Sequence, residues 1–86
     1  MKHRASSKFW VRYRALPHSI QKLADRYFQV LRQNSQHPSL HLKKVDRFWS
    51  ARVGLNYRAV AVESDDGLLW FWLGPHDEYS ILIKGA

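Results

Sequence analysis

The chain has 86 residues, with fourteen Lys and Arg against seven Asp and Glu, and it has no cysteine. This length predicts one compact domain over residues 1–86, which buries roughly 60 to 65% of its unfolded surface, and the lack of cysteine excludes disulfides, thiol catalysis and cysteine-bound zinc. The longest apolar run covers residues 68–73 and no apolar signal segment follows the charged N-terminus, so we expect a cytoplasmic protein without a membrane span.

A short helix is predicted close to the N-terminus. Phe9, Trp10 and Tyr13 recur at helical steps behind Ser6 or Ser7, either of which can cap a helix. Alternation of apolar side chains in the same segment would also suit a strand, which leaves two alternatives for this stretch.

A longer helix of about four turns is predicted next, because apolar residues recur at steps of three and four. These residues are Leu16, Ile20, Leu23, Ala24, Tyr27, Phe28 and Leu31. Pro17 suits its first turn, and Asn34-Ser35 with Pro38 ends it. Pro17 would then separate two helices packed as a hairpin.

The second half is predicted to form antiparallel strands. Turn signals at residues 54–56 and 65–67 separate runs rich in Val, Trp, Phe and Tyr, and connections this short make neighbouring strands antiparallel. The fold class is therefore α+β, with an N-terminal helical hairpin packed on one face of a small antiparallel sheet.

The turns also predict a register. A three-residue loop in the first hairpin would set Arg52 directly across from Arg58, whereas a loop of even length would put them on opposite faces. Two like charges in this position are destabilising unless an anion or an acid lies between them. A second hairpin centred near Asp66 sets Arg58 across from Gly74, so that His76 emerges beside it, just past the strand end.

This register predicts that Trp70 and Trp72 share the arginine face, where they would stack on unpaired bases or pack into the core. The residues expected to pack under the helices are Val53, Ala59, Ala61, Leu69, Phe71 and Leu73.

Charge is unevenly distributed along the chain. Residues 1–58 hold thirteen cations and two acids, whereas residues 59–86 hold one cation and five acids. A basic segment interleaved with aromatic side chains suits nucleic acid, and a solvated basic surface is the alternative.

Several short motifs occur in a recognisable order: Leu16-Pro17 opening a helix, Asn34 before His37-Pro38-Ser39-Leu40, Lys43-Lys44, Trp49-Ser50-Ala51-Arg52-Val53-Gly54 with Tyr57-Arg58, and Trp72-Leu73-Gly74-Pro75-His76-Asp77-Glu78-Tyr79. Their order and spacing over about residues 9–83 resemble the RelE/ParE superfamily of toxins from bacterial toxin-antitoxin modules.

RelE-like members of this superfamily are metal-independent endoribonucleases that cut messenger RNA, commonly in the ribosomal decoding site, and a cognate antitoxin silences them. The resemblance therefore implies an mRNA interferase that inhibits translation, with an antitoxin, mRNA and the ribosome as partners and no metal or other cofactor. ParE-like members instead poison DNA gyrase. A toxin that has lost its activity and survives as an antitoxin-binding module is a third alternative.

The resemblance also implies site residues. Arg58 matches the arginine that follows the tyrosine of the second sheet strand, and with Arg52 it would hold the scissile phosphate by charge-assisted hydrogen bonds. Lys43 and Lys44 would add positive potential near the sheet. The cations Arg12, Arg14, Lys22 and Arg26 are interpreted as a solvated helix face, with contacts to ribosomal RNA or to the antitoxin as the alternative.

Proton transfer needs further groups, because the ribose 2′-OH must lose a proton and the leaving 5′-oxygen must gain one. His76 matches the basic or histidine position just after the last strand's glycine, and histidine exchanges protons near neutral pH. Tyr79 would orient the ribose or assist the transfer. A second acid-base group is open among Glu63, Asp77 and Glu78.

Overall fold

A computed structural model describes residues 2–84 as five strands and three helices. In chain order these are β1 (Lys2–Ala5), α1 (Ser7–Arg14), α2 (His18–Gln33), a short 3-10 turn (Pro38–Leu40), β2 (Lys43–Val45), β3 (Phe48–Val53), β4 (Tyr57–Ser64), β5 (Gly67–Pro75) and α3 (His76–Lys84). The strands form one sheet in the order β1-β5-β4-β3-β2. The predicted α+β class and the antiparallel meander from β2 to β5 are therefore confirmed.

The sheet is mixed rather than purely antiparallel, and the prediction was wrong at this point. β1 pairs in parallel with β5, from Lys2 opposite Gly67 to Ala5 opposite Trp70. Gly67 permits this pairing, since a Cβ at that position would lie 1.9 Å from the carbonyl oxygen of Lys2. β1 therefore closes one edge of the sheet with a strand that the sequence analysis did not predict.

Both predicted helices are present. Ser6 caps α1 by accepting a hydrogen bond from the Phe9 N–H, so the strand alternative is wrong. Pro17 lies just before α2 as its N-cap rather than in the first turn, and α2 ends at Gln33 with Asn34 as its C-cap. No helix in residues 2–84 combines the length and apolarity needed to cross a bilayer.

One face of the sheet carries the larger apolar cluster, to which α1 and α2 both contribute. Its buried members are Phe9, Ala24, Leu31, Leu40, Ala51, Val53, Ala59, Ala61, Leu68, Trp70 and Leu73. The alternating positions of β3 and β4 supply this face, as expected for side chains that alternate along a strand.

α3 covers part of the opposite face, and the sequence analysis did not predict this helix. Tyr79, Leu82 and Ile83 recur at helical spacing and pack with Phe48 and Val60 from the sheet. The chain thus forms three layers, with helices on both sides of the sheet.

A β-bulge interrupts the pairing of β4 with β5. Val60 lies opposite Trp72 and Ala61 lies opposite Trp70, which leaves Phe71 as an extra residue on β5. Trp70 therefore faces α1 and α2 and is 1% exposed, so the expectation that it shares the arginine face is wrong. Leu69 and Phe71, expected under the helices, face the opposite side for the same reason.

Trp70 finds its polar partner on β1. Its indole N–H donates to Nδ1 of His3 at 3.2 Å, and both side chains are buried. Burial lowers the pKa of His3 below its ordinary value, and the positive charge of Arg32 lowers it further. Protonation of His3 is therefore unfavourable in the folded chain.

This depressed pKa predicts a stability that depends on pH. The unfolded chain takes up the His3 proton at about pH 6.5, while the folded chain resists it, so the contribution of His3 is present above that pH and is lost as pH falls through the lower folded value. Urea unfolding at pH 7.5 and pH 5 should show a larger loss for the wild type than for His3→Gln, whose amide oxygen still accepts from Trp70.

The exposed His18 supplies the control for this experiment, and His18→Gln should keep the wild-type pH dependence. Equal losses in the wild type and in His3→Gln would contradict a role for His3 in the acid sensitivity.

Candidate active site

Arg52 and Arg58 lie directly across from each other on β3 and β4, as the register predicted. The loop between them has three residues and starts at Gly54, whose φ of +69° is a conformation that favours glycine. Since Val60 lies two residues after Arg58 on the same strand and packs in the α3-side cluster, both arginines belong to the α3 side of the sheet.

The two guanidinium groups have no counter-ion in the described part of the chain. All four ion pairs of residues 2–84 involve other side chains. Nη1 of Arg58 donates to the backbone oxygen of Tyr57 at 2.9 Å, and Nε of Arg52 is buried without a hydrogen-bond partner. Burial lowers the pKa of Arg58, as does the neighbouring charge of Arg52, which means that the pair is held together against repulsion.

Tyr79 and His76 lie beside the arginine pair. Tyr79 is 9% exposed and packs against Val60, two residues after Arg58 on the same side of the sheet. The ring centroids of Tyr79 and His76 are 5.8 Å apart. His76 itself is exposed at the start of α3, where its N–H donates to the backbone oxygen of Asn56 at 2.8 Å. This bond ties α3 to the loop that pairs the arginines.

Arg12 is a third guanidinium on this side, and the sequence analysis did not place it with the arginine pair. Its Nε donates to the Leu73 carbonyl at 2.7 Å, Nη2 pairs with Glu78 at 3.0 Å, and the group lies 4.7 Å from the centre of the Trp72 ring. The interpretation of Arg12 as part of a solvated helix face is wrong, because its side chain reaches around the part of β5 that β1 leaves uncovered.

Gly74 makes room for this arrangement. A Cβ at Gly74 would lie 2.9 Å from Nη2 of Arg12 and 2.8 Å from the Trp72 ring. Gly74 on β5 is paired with Arg58 on β4, which in turn is paired with Arg52 on β3. The guanidinium of Arg12, although it comes from α1, lies over β5, so three guanidinium groups occupy neighbouring strands. A glycine within an apolar strand was the signal that could have indicated such a close approach.

The remaining predicted residues divide between the two sides. Lys43 lies opposite Ser50 on the exposed edge strand β2, which puts it on the arginine side. Lys44 points to the other side and pairs with Glu63 at 3.3 Å. Of the proposed binding residues, Lys43 and Trp72 thus share the face of the arginine pair, while Lys44 and the buried Trp70 do not.

The candidate acids divide in the same way. The carboxylate of Glu63 accepts a hydrogen bond from the indole N–H of Trp49 and forms an ion pair with Lys44. The hydrogen bond from Trp49 lowers the pKa of Glu63 most, and Lys44 lowers it further. Glu63 therefore lies on the other side of the sheet from the arginine pair. Asp77 and Glu78 are exposed in the first turn of α3. Within residues 2–84, no three His, Asp or Glu side chains are grouped to hold a metal ion.

No protein-family model and no curated protein matches the chain. Solved structures do match it over nearly its full length. A RelB-RelE antitoxin-toxin complex from Methanococcus jannaschii has a TM-score of 0.69 at 18% identity, covering 92% of this chain and 96% of that chain. The isolated RelE toxin of E. coli has a TM-score of 0.62 at 12% identity, covering 96% and 95%.

A copper-bound mutant toxin from Helicobacter pylori has a TM-score of 0.58 at 17% identity, covering 91% of this chain and 97% of that chain. Identities this low establish the shared fold and nothing about chemistry.

The arginine pair predicts that removing one of its charges stabilises the fold. Arg52→Met keeps most of the buried side-chain volume while it removes both the repulsion of Arg58 and the unpaired Nε. We expect the free energy of unfolding at low salt to rise by about 1 kcal/mol, measured by urea denaturation.

Arg26→Met is the matched control, since Arg26 is exposed on α2, and its effect should be close to zero. A decrease in the free energy of unfolding of Arg52→Met, as large as that of an ordinary core substitution, would contradict the prediction that repulsion between the two arginines destabilises the fold.

Proposed function

Because the chain has the RelE-like toxin fold, we propose that it is the toxin of a toxin-antitoxin module and that it cleaves messenger RNA as an endoribonuclease. The observation that supports this most directly is the pair Arg52 and Arg58, two neighbouring cations without a carboxylate partner in residues 2–84. An RNA phosphate is the anion that would relieve their repulsion.

The phosphate would lie between the two guanidinium groups on the α3 side of the sheet. Each guanidinium offers several N–H donors that can bind the phosphate oxygens. Negative charge on the phosphate oxygens increases as the attacking oxygen bonds to phosphorus, so donors held in position by two paired strands stabilise the transition state more than the ground state.

His76 is the group proposed to exchange a proton in this site. In the reaction, the 2′-oxygen forms a bond to phosphorus, its proton passes to a base, and the bond from phosphorus to the 5′-oxygen breaks as that oxygen gains a proton. His76 is exposed to solvent, where a bound RNA strand would lie, while its neighbour Tyr79 is packed on the arginine side of the sheet. Tyr79 is therefore proposed to orient the ribose or to assist the transfer.

Trp72 and Arg12 border the same site. Because the guanidinium of Arg12 already lies over the Trp72 ring, the proposed role of Trp72 is to hold this cation rather than to stack on a base with that ring face. Lys43 extends the positive surface across β2. Lys44 is paired with Glu63 and is proposed to contribute only to the overall electrostatic potential of the protein.

A cognate antitoxin is the proposed protein partner. One neighbour in fold was solved as an antitoxin-toxin complex, and a chain with a net charge of +7 would bind nucleic acid indiscriminately unless its basic face were covered. An acidic or amphipathic segment of the antitoxin fits this requirement. We propose the ribosome as the setting for mRNA cleavage, as in the RelE-like branch of the superfamily.

Two variants test the nuclease. General acid-base catalysis contributes roughly 10²- to 10⁴-fold to a rate, and removing one preorganised charge-stabilising donor costs about 10²- to 10³-fold. After induced expression in bacteria, His76→Ala and Arg58→Ala should therefore produce far fewer new RNA 5′ ends than the wild type and should relieve growth arrest.

His18→Ala and Arg26→Ala are the matched controls, because both residues are exposed on α2, and they should cleave RNA like the wild type. Growth arrest without new RNA ends but with altered plasmid supercoiling would contradict the nuclease proposal and would indicate a toxin that binds gyrase. The absence of both effects, together with antitoxin binding, would indicate an inactive binding module.

A further inference from the structure

A second positively charged cleft lies at the other edge of the sheet, around β1 and the end of α2. Its volume is ≈ 350 Å³, and it is lined by Lys2, His3, Arg4 and Arg32. One strand, β5, separates β1 from β4, which carries Arg58. None of the proposed nuclease residues lines the cleft. Its role is therefore independent of the arginine pair.

His3 gives the cleft a fixed hydrogen-bond donor. An indole N–H can only donate, so the bond from Trp70 requires that Nδ1 of His3 carry no proton. The neutral imidazole then carries its proton on Nε2. Nε2 of His3 has no hydrogen-bond partner in residues 2–84. Within these residues, Nε of Arg52 is the one buried side-chain nitrogen or oxygen that lacks a partner, so Nε2 of His3 keeps some exposure to solvent. The ring as a whole is only 8% exposed, so its position is fixed, and His3 is one of the residues that line the cleft.

Arg32 supplies a charge that carboxylates in residues 2–84 leave unpaired. Its guanidinium lies 5.3 Å from the centre of the Phe28 ring, which restricts its position at the end of α2. It is also close enough to His3 to lower the pKa of that imidazole.

Lys2 and Arg4 flank His3 on β1, and their side chains project to the opposite face of that strand, because His3 is paired with the core residue Leu68. They add a net positive charge at the rim of the cleft. Both pair with one carboxylate, Asp66, at 3.7 Å and 2.7 Å. Two cations that share a single acid leave a surplus charge beside the cleft. The lining therefore combines N–H donors with positive potential, which suits an oxyanion and excludes a metal cation.

We propose that this cleft binds a phosphate group through the guanidinium of Arg32 and the Nε2–H of His3, with Lys2 and Arg4 adding electrostatic attraction. A tetrahedral phosphate offers oxygens in several directions, so it can accept from both donors at once. The group has two possible sources, a phosphodiester within an RNA strand and a phosphate monoester such as a free nucleotide or an RNA 5′ end.

NMR on the full-length protein tests the site, because Trp70 reports on it from within the core. Inorganic phosphate is titrated at pH 7.5 and constant ionic strength, with Trp70→Phe used to assign the indole N–H signal. We expect the Trp70 indole and the His3 imidazole to shift along one saturable curve, and Arg32→Gln to weaken binding at least about tenfold, as for loss of a charge-assisted contact.

Arg26→Gln is the matched control on α2 and should bind phosphate like the wild type, while Arg32→Lys should restore part of the affinity. The proposal is overturned if the Trp70 signal does not move, if acetate at equal ionic strength moves it equally, or if Arg32→Gln binds as well as the wild type. A shift confined to His76 and Tyr79 would report only the arginine pair and would also overturn it.

Two RNA oligonucleotides of equal sequence, with and without a 5′-phosphate, distinguish the sources. A shift of the Trp70 indole by both indicates a phosphodiester, and a shift by the phosphorylated one alone indicates a terminal monoester. A response to inorganic phosphate alone indicates a small phosphate ester. Each of these results supports the site and specifies its ligand.

Discussion

The pairing of β4 with β5 determines what each side of the sheet presents, and the bulge at Phe71 is the feature on which this pairing depends. The two-residue turn after Ser64 sets the register at one end of the hairpin, and the extra residue changes it before the other end. As a result, Trp70 enters the core under α1 and α2, while Arg58 still lies opposite Gly74. Without the bulge, one of these two placements would be lost, since a shift of one residue moves a side chain to the other face.

The open arginine pair is an arrangement that stability alone does not favour. Arg52 and Arg58 repel each other, and one of their nitrogen atoms is buried without an acceptor. By contrast, the outlying cations Lys2, Arg4 and Lys44 each have a carboxylate partner. Unrelieved strain of this kind is concentrated at functional sites in proteins, which is why we propose that the functional site lies between β3, β4 and α3.

The sequence predicted the parts of the fold that short-range signals specify. Glycine at position 54 indicated the three-residue turn and hence the arginine register, and Ser6 with the spacing of Phe9 and Tyr13 indicated α1. The missed parts depend on distant partners. β1 has only four residues, three of them charged or polar, and its partner lies more than sixty positions away. The bulge could not be predicted because residues 68–73 are all apolar. No alternation of polar and apolar side chains therefore indicates which residues of β5 face α1 and α2 and which face α3. Arg12 followed the spacing of an exposed helix position, and only the free edge of β5 shows why its guanidinium binds the sheet instead.

The parallel pairing of β1 with β5 has a consequence for how the chain acquires its structure. Residues 2–5 are synthesised well before their hydrogen-bond partners at residues 67–70. The sheet therefore cannot be completed until residues 67–70 have been made, and pairing between such distant segments is slow to form. The nascent polypeptide consequently lacks the buried contact between His3 and Trp70 until both segments are present.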